Sequence, residues 1–410
     1  MKTISALITL IGLWAGSLYA QDLPVTFMSG SLLLEGTLSV PEGDGPFPVV
    51  VFAHGSGPTD RDGTLPLVGG NFNCLYPGLV GDTVRLLRDL SDALVAHGIA
   101  VLRYDKRSLT HAATLDPQTI TPYDFIDDLH AAVDFAKTQP EINSECIILA
   151  GHSQGSSFIP IVARERDDIS LLVSLAGAAT SIDTLLADQI LYIGTTCGDS
   201  ASASTQAAQT LAALTQIRNN TWPSNVPLLG AYPLFWKDWI DISDSAISNY
   251  QQAGLPTLFL QGDEDINVPF TDAVRFEQQV THDGVEVVIF DGINHYLSTT
   301  SQAQVAQPLI DSLLLWLDEQ KSPPTSVTDR APNDPALYHL TQLDDQLVVE
   351  AKAGGTLEHC SVVDLLGRPQ HDASINGSSY RLDVDAFSPG IYVVSLRIDG
   401  QFLQQKVFIR

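Results

Sequence analysis

Basic residues are scarce in this 410-residue chain: 21 Lys and Arg stand against 48 Asp and Glu, a formal net charge of −27. So negative a surface repels phosphate. That excludes nucleic-acid binding through a basic face and disfavours electrostatic docking on anionic membranes. Cysteine is sparse as well. Cys74, Cys146, Cys197 and Cys360 form no Cys-x-x-Cys pair and no zinc-like cluster, which argues against structural metal and thioredoxin-type chemistry. No His-Glu-x-x-His or similar ligand cluster occurs, so neither a metal nor an organic cofactor is implied. Beyond the first twenty residues no window reaches the ~18 apolar residues of a membrane span, and no transmembrane segment is expected. Internal repeats are missing too. Core material is plentiful: 44% of residues are hydrophobic, enough for a packed interior, and the length suggests two or three domains.

The first twenty residues read as a signal peptide. Lys2 precedes an apolar run over 4–18, and Ser17-Leu18-Tyr19-Ala20 places a cleavage site after Ala20. Export permits disulfides. Cys74 and Cys197 both lie in loop-like sequence and are expected to pair, whereas Cys146 opens an apolar run and is expected to be a buried small hydrophobe.

From residue 21 to about 320, short β-branched runs alternate with helical patterns. Strands are expected over 25–29, 32–40, 47–53, 99–104, 146–150, 171–175, 257–261 and 285–290. The first two alternate in polarity around Gly30-Ser31 and read as an antiparallel hairpin. The later ones are continuous apolar runs, as expected for strands covered on both faces. A helix is expected over 83–97, with Leu86, Leu87, Leu90 and Leu94 on one face. A second is capped by Thr121, with Pro122 in its first turn and Asp124 closing a capping box. The pattern implies an α/β fold, a doubly wound, mostly parallel sheet. Over about 178–252 the alternation lapses into Ala/Thr/Gln-rich helical sequence with clustered aromatics, which suggests an inserted helical cap. Prolines break all periodicity over 321–335, marking a linker. Only short strands follow, and Asp399-Gly400 between two of them is a hairpin signal.

Gly151-His152-Ser153-Gln154-Gly155 follows an apolar strand and precedes a helical segment. That context makes a Gly-x-Ser-x-Gly match specific for a nucleophile elbow, with the serine on a strained turn and glycines where a side chain would strike the neighbouring strand or helix. A serine nucleophile needs a base, and the base an orienting acid; in such sheets the chain order is Ser, acid, His. Two strands downstream end in Gly262-Asp263-Glu264-Asp265 and in Asp291-Gly292-Ile293-Asn294-His295. Both sites lie beyond the carboxyl ends of strands, where such folds place ligands. Ser153, an acid drawn from Asp263 or Asp265, and His295 are therefore the candidate triad. An oxyanion hole needs two amide N–H groups. Gln154 can supply one and Ser56, in His54-Gly55-Ser56-Gly57-Pro58, the other, unless that stretch is only a glycine-rich turn.

With these stretches in view, residues 24–320 resemble the α/β-hydrolase superfamily, specifically secreted esterases related to the serine-aminopeptidase-like hydrolases. The resemblance also rests on Leu34-Glu35-Gly36-Thr37-Leu38, Asp60-Arg61-Asp62 and Arg103-Tyr104-Asp105-Lys106-Arg107. It implies Ser153 as nucleophile, His295 as base and, by the spacing Gly262, Asp265, Val268, Asp265 as the acid. It suggests that Phe235 and Trp236 line an acyl pocket, with packing inside the cap as the other reading. Ser108 departs from the glycine that usually follows Asp-Lys-Arg. Asp60, Arg61, Asp105, Lys106 and Arg107 read as a structural ion-pair network.

The tail carries a second resemblance. Asp364-Leu365-Leu366-Gly367-Arg368, Tyr380-Arg381-Leu382-Asp383-Val384, Ser388-Pro389-Gly390-Ile391-Tyr392-Val393-Val394 and Gln405-Lys406-Val407-Phe408-Ile409-Arg410 are similar to a type IX secretion (Por) sorting domain. That implies an Ig-like β-sandwich over 336–410, the type IX secretion machinery as partner, and a secreted or surface location reached through the periplasm; an accessory carbohydrate-binding sandwich is the alternative. Together the two resemblances imply a secreted serine carboxylesterase acting on small-molecule esters through an acyl-enzyme. A peptidase of the same fold and a non-catalytic surface binding protein are the rivals.

Overall fold

The computed structural model describes residues 20–198, 200–321, 338–343, 346–352, 355–364, 369–385, 387, 390–398 and 401–409. The expected signal segment (all but Ala20) and the expected linker (all but Lys321) lie outside them. After Ile310 the chain divides into two compact units.

The first unit contains β1 (Gln21–Ser29), β2 (Leu32–Val40), β3 (Phe47–Ala53), β4 (Thr64–Pro66), β5 (Thr83–Arg85), β6 (Ala100–Tyr104), β7 (Ile142–His152), β8 (Leu171–Leu175), β9 (Thr257–Gly262) and β10 (Val285–Phe290). Its helices are α1 (Phe72–Leu75), α2 (Leu86–Ala96), α3 (Arg107–Thr110), α4 (Pro122–Lys137), α5 (Gln154–Glu165), α6 (Ile182–Cys197), α7 (Ser200–Arg218), α8 (Pro233–Asp244), α9 (Ala246–Ala253) and α10 (Thr271–Gln279). Eight strands form one sheet in the order β1-β2-β6-β3-β7-β8-β9-β10. The β1–β2 and β2–β6 pairs are antiparallel and the rest parallel. This is the mostly parallel α/β-hydrolase architecture. Strands β6, β8 and β9 are buried at every residue, which is why their sequences lack polar alternation.

Register positions the chemistry. Ala53 of β3 lies opposite Gly151 of β7, so residues 54–56 leave the sheet beside 152–154. Likewise Gly262 of β9 pairs with Phe290 of β10, bringing the acid-bearing and histidine-bearing loops together. All four segments leave the carboxyl edge of the sheet.

Helix α4 starts as the sequence indicates: the Tyr123 N–H donates to Thr121 Oγ1 (3.2 Å) and the Thr121 N–H to Asp124 Oδ2 (2.8 Å). Two elements differ from expectation. Residues 83–85 are not helical; they pair with 64–66 as a small ribbon, and α2 begins only at Leu86. The Asp62 carbonyl accepts the N–H groups of Leu87 and Arg88, a cap supplied from a distant turn and therefore invisible to local pattern. Strand β7 begins at Ile142, because polar Asn143, Ser144 and Glu145 extend it through an irregular register between Phe47 and Val49 of β3. Cys146 consequently sits inside this irregular stretch and is half-buried rather than core.

The cap is shorter than composition suggests. Helices α6, α7 and α8 share a core of Ile182, Leu185, Leu214, Ile217, Trp236, Trp239, Ile240 and Val268. Ile242, Ala246 and Tyr250 instead join the core of the main body, and the Tyr250 hydroxyl donates to the Ser156 carbonyl at 2.7 Å. Helix α9 thus belongs to the main body, packed on α5. A disulfide joins Cys74 to Cys197, 123 residues apart in sequence, tying α1 to the end of α6.

In the second unit, β11 (Tyr338–Leu343), β12 (Gln346–Ala351), β13 (Leu357–Asp364), β14 (Pro369–Gly377), β15 (Ser379–Asp383), β16 (Gly390–Ile398) and β17 (Gln401–Ile409) form two antiparallel sheets, β11-β12-β15 and β14-β13-β16-β17. One apolar cluster draws on both, including Leu347, Val349, Leu357, Val362, Leu382 and Val394. The hairpin signal Asp399-Gly400 lies outside the described residues, as do parts of the tail motifs. The strands flanking that signal pair antiparallel with Ile398 opposite Gln401.

Candidate active site

Ser153 is the residue where β7 turns into α5, and it holds φ 51° and ψ −115°, a region costly for any residue with a side chain. Two glycines make the turn possible. A Cβ on Gly151 would stand 2.4 Å from the Gly155 carbonyl oxygen, and one on Gly155 would stand 2.2 Å from that of Ala53. Glycine at these positions lets strand, turn and helix close on each other while the serine side chain projects.

His295 Nε2 lies 3.1 Å from Ser153 Oγ, and its Nδ1 lies 2.8 Å from Asp265 Oδ2. Asp265 is buried (7% exposed) and fully engaged. Its Oδ1 accepts the N–H groups of Asn267 and Val268, each at 2.8 Å, and its Oδ2 also accepts Gln261 Nε2 at 2.9 Å. Asp263, the other candidate acid, makes no hydrogen bond to the histidine among the described residues; its Oδ1 accepts the Gly292 N–H at 2.7 Å. The structure thus brings Ser153, His295 and Asp265 into one hydrogen-bonded row.

Two residues that hold this row were not singled out from sequence. Asn294 organises the loop behind the histidine: its Oδ1 accepts the Tyr296 N–H (2.9 Å) and its Nδ2 donates to Ser298 Oγ (3.0 Å). His152 Nε2 lies 2.9 Å from the His295 carbonyl, which can only accept, so the proton sits on Nε2. Burial pulls the His152 pKa down to about 3, and His54 likewise, keeping both neutral next to the site. The position of His152 inside the elbow was the available signal.

Above the row opens a cavity of about 480 Å³. Gly55, Ser56 and Gly57 border it on the sheet side; Leu65, Val84, Leu86 and Leu87 give it an apolar wall, and Gln189, Asn267 and Tyr296 a polar one. Ser56 therefore faces the same space as Ser153, and Gln154 begins α5 directly after it. Burial raises the Tyr296 hydroxyl to about 12, so the phenol stays protonated. Among the described residues no group of three or more His, Cys, Asp or Glu is arranged to hold a metal ion.

Phe235 and Trp236 do not line this cavity. Trp236 is 5% exposed, stacks on Trp239 at 5.5 Å and donates Nε1 to the Leu228 carbonyl at 2.8 Å. Phe235 packs edge-on against Trp236, Trp239 and Phe125. Aromatic content marked the cap core, and the acyl-pocket expectation is corrected: the apolar wall comes from the β4–β5 ribbon and the start of α2. Trp236→Ala is accordingly expected to cost about 3–5 kcal/mol of stability while leaving the order of preference among acyl lengths unchanged. Urea unfolding and an ester series read the two effects separately.

The charged residues flanking the site resolve into separate roles. Arg61 forms a two-pronged pair with Asp105 (2.5 and 3.0 Å). Burial works to raise the Asp105 pKa, but the Arg61 side-chain and backbone donors prevail and hold it below the usual range. Arg107 grips Asp128 (2.5 and 2.8 Å) and reaches Asp124 (2.8 Å). Asp60 makes no ion pair among the described residues; it accepts the Thr64 N–H at 2.8 Å. Lys106 also stands outside the network, with its Nζ on the Gly55 carbonyl (2.6 Å) and Gln154 Oε1 (3.0 Å).

The chain is similar to several known proteins. Esterase EstD of Thermotoga maritima is 27% identical over 296 residues, 69% of this chain, and the chain spans 65% of that relative's length. Similar solved structures include Est1E from Butyrivibrio proteoclasticus with ferulic acid bound (17% identity, TM-score 0.48, covering 72% of this chain and 98% of that one). Pyrococcus horikoshii acylaminoacyl peptidase is another (16% identity, TM-score 0.47, 73% and 41%). Residues 74–301, more than half of the sequence, match the family described as serine aminopeptidase, S33, and the chain belongs to that family of α/β-hydrolases.

Proposed function

We propose that this protein is a carboxylic ester hydrolase working through an acyl-enzyme. Ser153 Oγ attacks the ester carbonyl while His295 Nε2 takes its proton; Asp265 holds the imidazole in the tautomer that can accept it and stabilises the imidazolium. The Ser56 and Gln154 N–H groups receive the oxyanion. The alcohol leaves with the proton from His295, and a water activated by the same imidazole then releases the acid. The observation that carries this reading is the hydrogen-bonded row Ser153–His295–Asp265 at the floor of a cavity.

Ester rather than aminoacyl peptide is favoured by the cavity wall. An exopeptidase acting at a free amino terminus needs a carboxylate for the substrate ammonium. Among the described lining residues there is no Asp or Glu, and Asp265 is already committed to His295. The similarity to EstD points the same way. p-Nitrophenyl esters of rising acyl length are expected to turn over at least about a hundredfold faster than aminoacyl p-nitroanilides. Faster hydrolysis of the anilides would replace the esterase reading by the peptidase one.

We further propose that the chain is exported and that its C-terminal unit is a sorting domain of Ig-like sandwich form read by a type IX secretion machinery. The signal-like first twenty residues and the four ordered tail motifs support this. Removing residues 336–410 is expected to leave the enzyme in the periplasm of a bacterium that has this machinery. Unchanged appearance outside the cell would reject the assignment.

A further inference from the structure

Lys106 is 3% exposed and, among the described residues, makes no ion pair. The carboxylate nearest in effect, Asp128, is held by Arg107, and a buried ammonium without a paired carboxylate is a destabilising choice, so its contacts call for another explanation. One goes to the Gly55 carbonyl, in the peptide that carries the Ser56 N–H, and the other to the side chain of Gln154, whose own N–H is the second donor assigned to the oxyanion. Nζ lies 2.6 Å from the Gly55 carbonyl oxygen and 3.0 Å from Gln154 Oε1, with the Phe125 ring centroid 4.6 Å away. The Lys106 N–H in addition donates to the Thr59 carbonyl at 3.1 Å, so a single residue at the end of β6 holds the 54–59 loop at two points.

The Gly55 carbonyl and the Ser56 N–H are opposite ends of one planar trans peptide and point in opposite directions. An ammonium fixed on the oxygen therefore aims the N–H away from Lys106, on the side where the cavity and Ser153 lie. It also draws electron density towards that oxygen and strengthens the N–H as a donor. Through Gln154 Oε1 the same ammonium pins the side chain of the residue that carries the second donor. We propose that Lys106 is a positioning residue for the oxyanion hole, orienting and polarising the Ser56 peptide and anchoring Gln154; this rests on the esterase reading above. Burial draws the lysine pKa down to about 7, against the opposing pull of the Asp128 carboxylate. The residue acts through the loop and touches no reacting atom.

Such a group strengthens binding of the tetrahedral state more than of the substrate, so its loss falls on kcat. With the full chain and a p-nitrophenyl ester, Lys106→Met is expected to lower kcat about tenfold to a hundredfold, with KM within about twofold of the parent. Phosphonylation by a fluorophosphonate, which also places a tetrahedral oxyanion in the hole, should slow in step. Lys106→Arg, which restores a cationic donor, should recover part of the rate. If a folded Lys106→Met protein keeps kcat within twofold, or the whole loss appears in KM, the proposal is overturned. Should Lys106→Met fail to fold, Gln154→Leu removes one of the two ammonium contacts while keeping the backbone N–H. A kcat fall of about fivefold then supports the proposal, and no change overturns it. A parent protein that neither hydrolyses esters nor reacts with the fluorophosphonate overturns the esterase reading and this proposal with it. An active parent with an unaffected Lys106→Met variant overturns this proposal alone.

Discussion

Replacing Ser153 by alanine is expected to lower ester turnover by about 10⁵- to 10⁶-fold and to abolish labelling by a fluorophosphonate, whose phosphorus would bond Ser153 Oγ as fluoride departs. The loss follows from chemistry rather than folding. Among the described residues Ser153 Oγ has one side-chain hydrogen bond, the 3.1 Å contact to His295 Nε2. The elbow itself is held by backbone and glycine packing: the Ser153 N–H donates to the Leu175 carbonyl at 2.9 Å, and the Ser153 carbonyl accepts Ser156 Oγ at 2.6 Å. Alanine keeps all of these, so the melting temperature should move by no more than about 2 °C. Residual turnover above about 1% of the parent rate would remove Ser153 from the nucleophile role.

Asp265→Asn should be the second largest effect, about 10⁴-fold in kcat, and the surrounding donors explain why. The backbone N–H groups of Asn267 and Val268 both point at Oδ1, so the amide oxygen of an asparagine would settle there. Its NH₂ would then face His295 Nδ1 and force the tautomer with the proton on Nε2, which cannot take one from Ser153. The same NH₂ would confront Gln261 Nε2, now donor against donor, so some stability should be lost as well. Asp263→Asn provides the contrast. Its amide oxygen can keep the Gly292 N–H, and kcat should stay within about threefold. Were the Asp263 variant the inactive one, the acid of the row would have to be reassigned.

The elbow was legible because it is local. Strand, Gly151, Ser153, Gly155 and helix are consecutive, and the steric demand for glycine acts between residues a few positions apart. The same holds for the Thr121 cap of α4 and for the apolar runs that became β6, β8 and β9. Asp265 was legible only through spacing, since Asp263 sits on the same loop with the same chemistry. The choice between them is made by the Asn267 and Val268 amides and by the path of the loop around Val268.

Other features depended on partners far away in sequence. The 83–85 stretch reads as helix until 64–66 is available to pair with it, and Asp62 then decides where α2 begins. Phe235 and Trp236 are aromatic whether they line a pocket or fill a cap, and only the positions of Trp239 and Phe125 separate the two. Lys106 sits among charges in sequence, yet among the described residues its ammonium ends on the Gly55 carbonyl and Gln154 Oε1 rather than in an ion pair.

By itself, then, the sequence determined the alternating α/β body, the strained serine turn and the order Ser, acid, His, all set by contacts within one strand–turn–helix unit or by chain order. The tertiary structure alone decided what lines the cavity and what Lys106 holds. Each of these depends on strand register and on packing between segments tens to hundreds of residues apart, and a side chain's chemistry does not specify its neighbours until the sheet has set the distances.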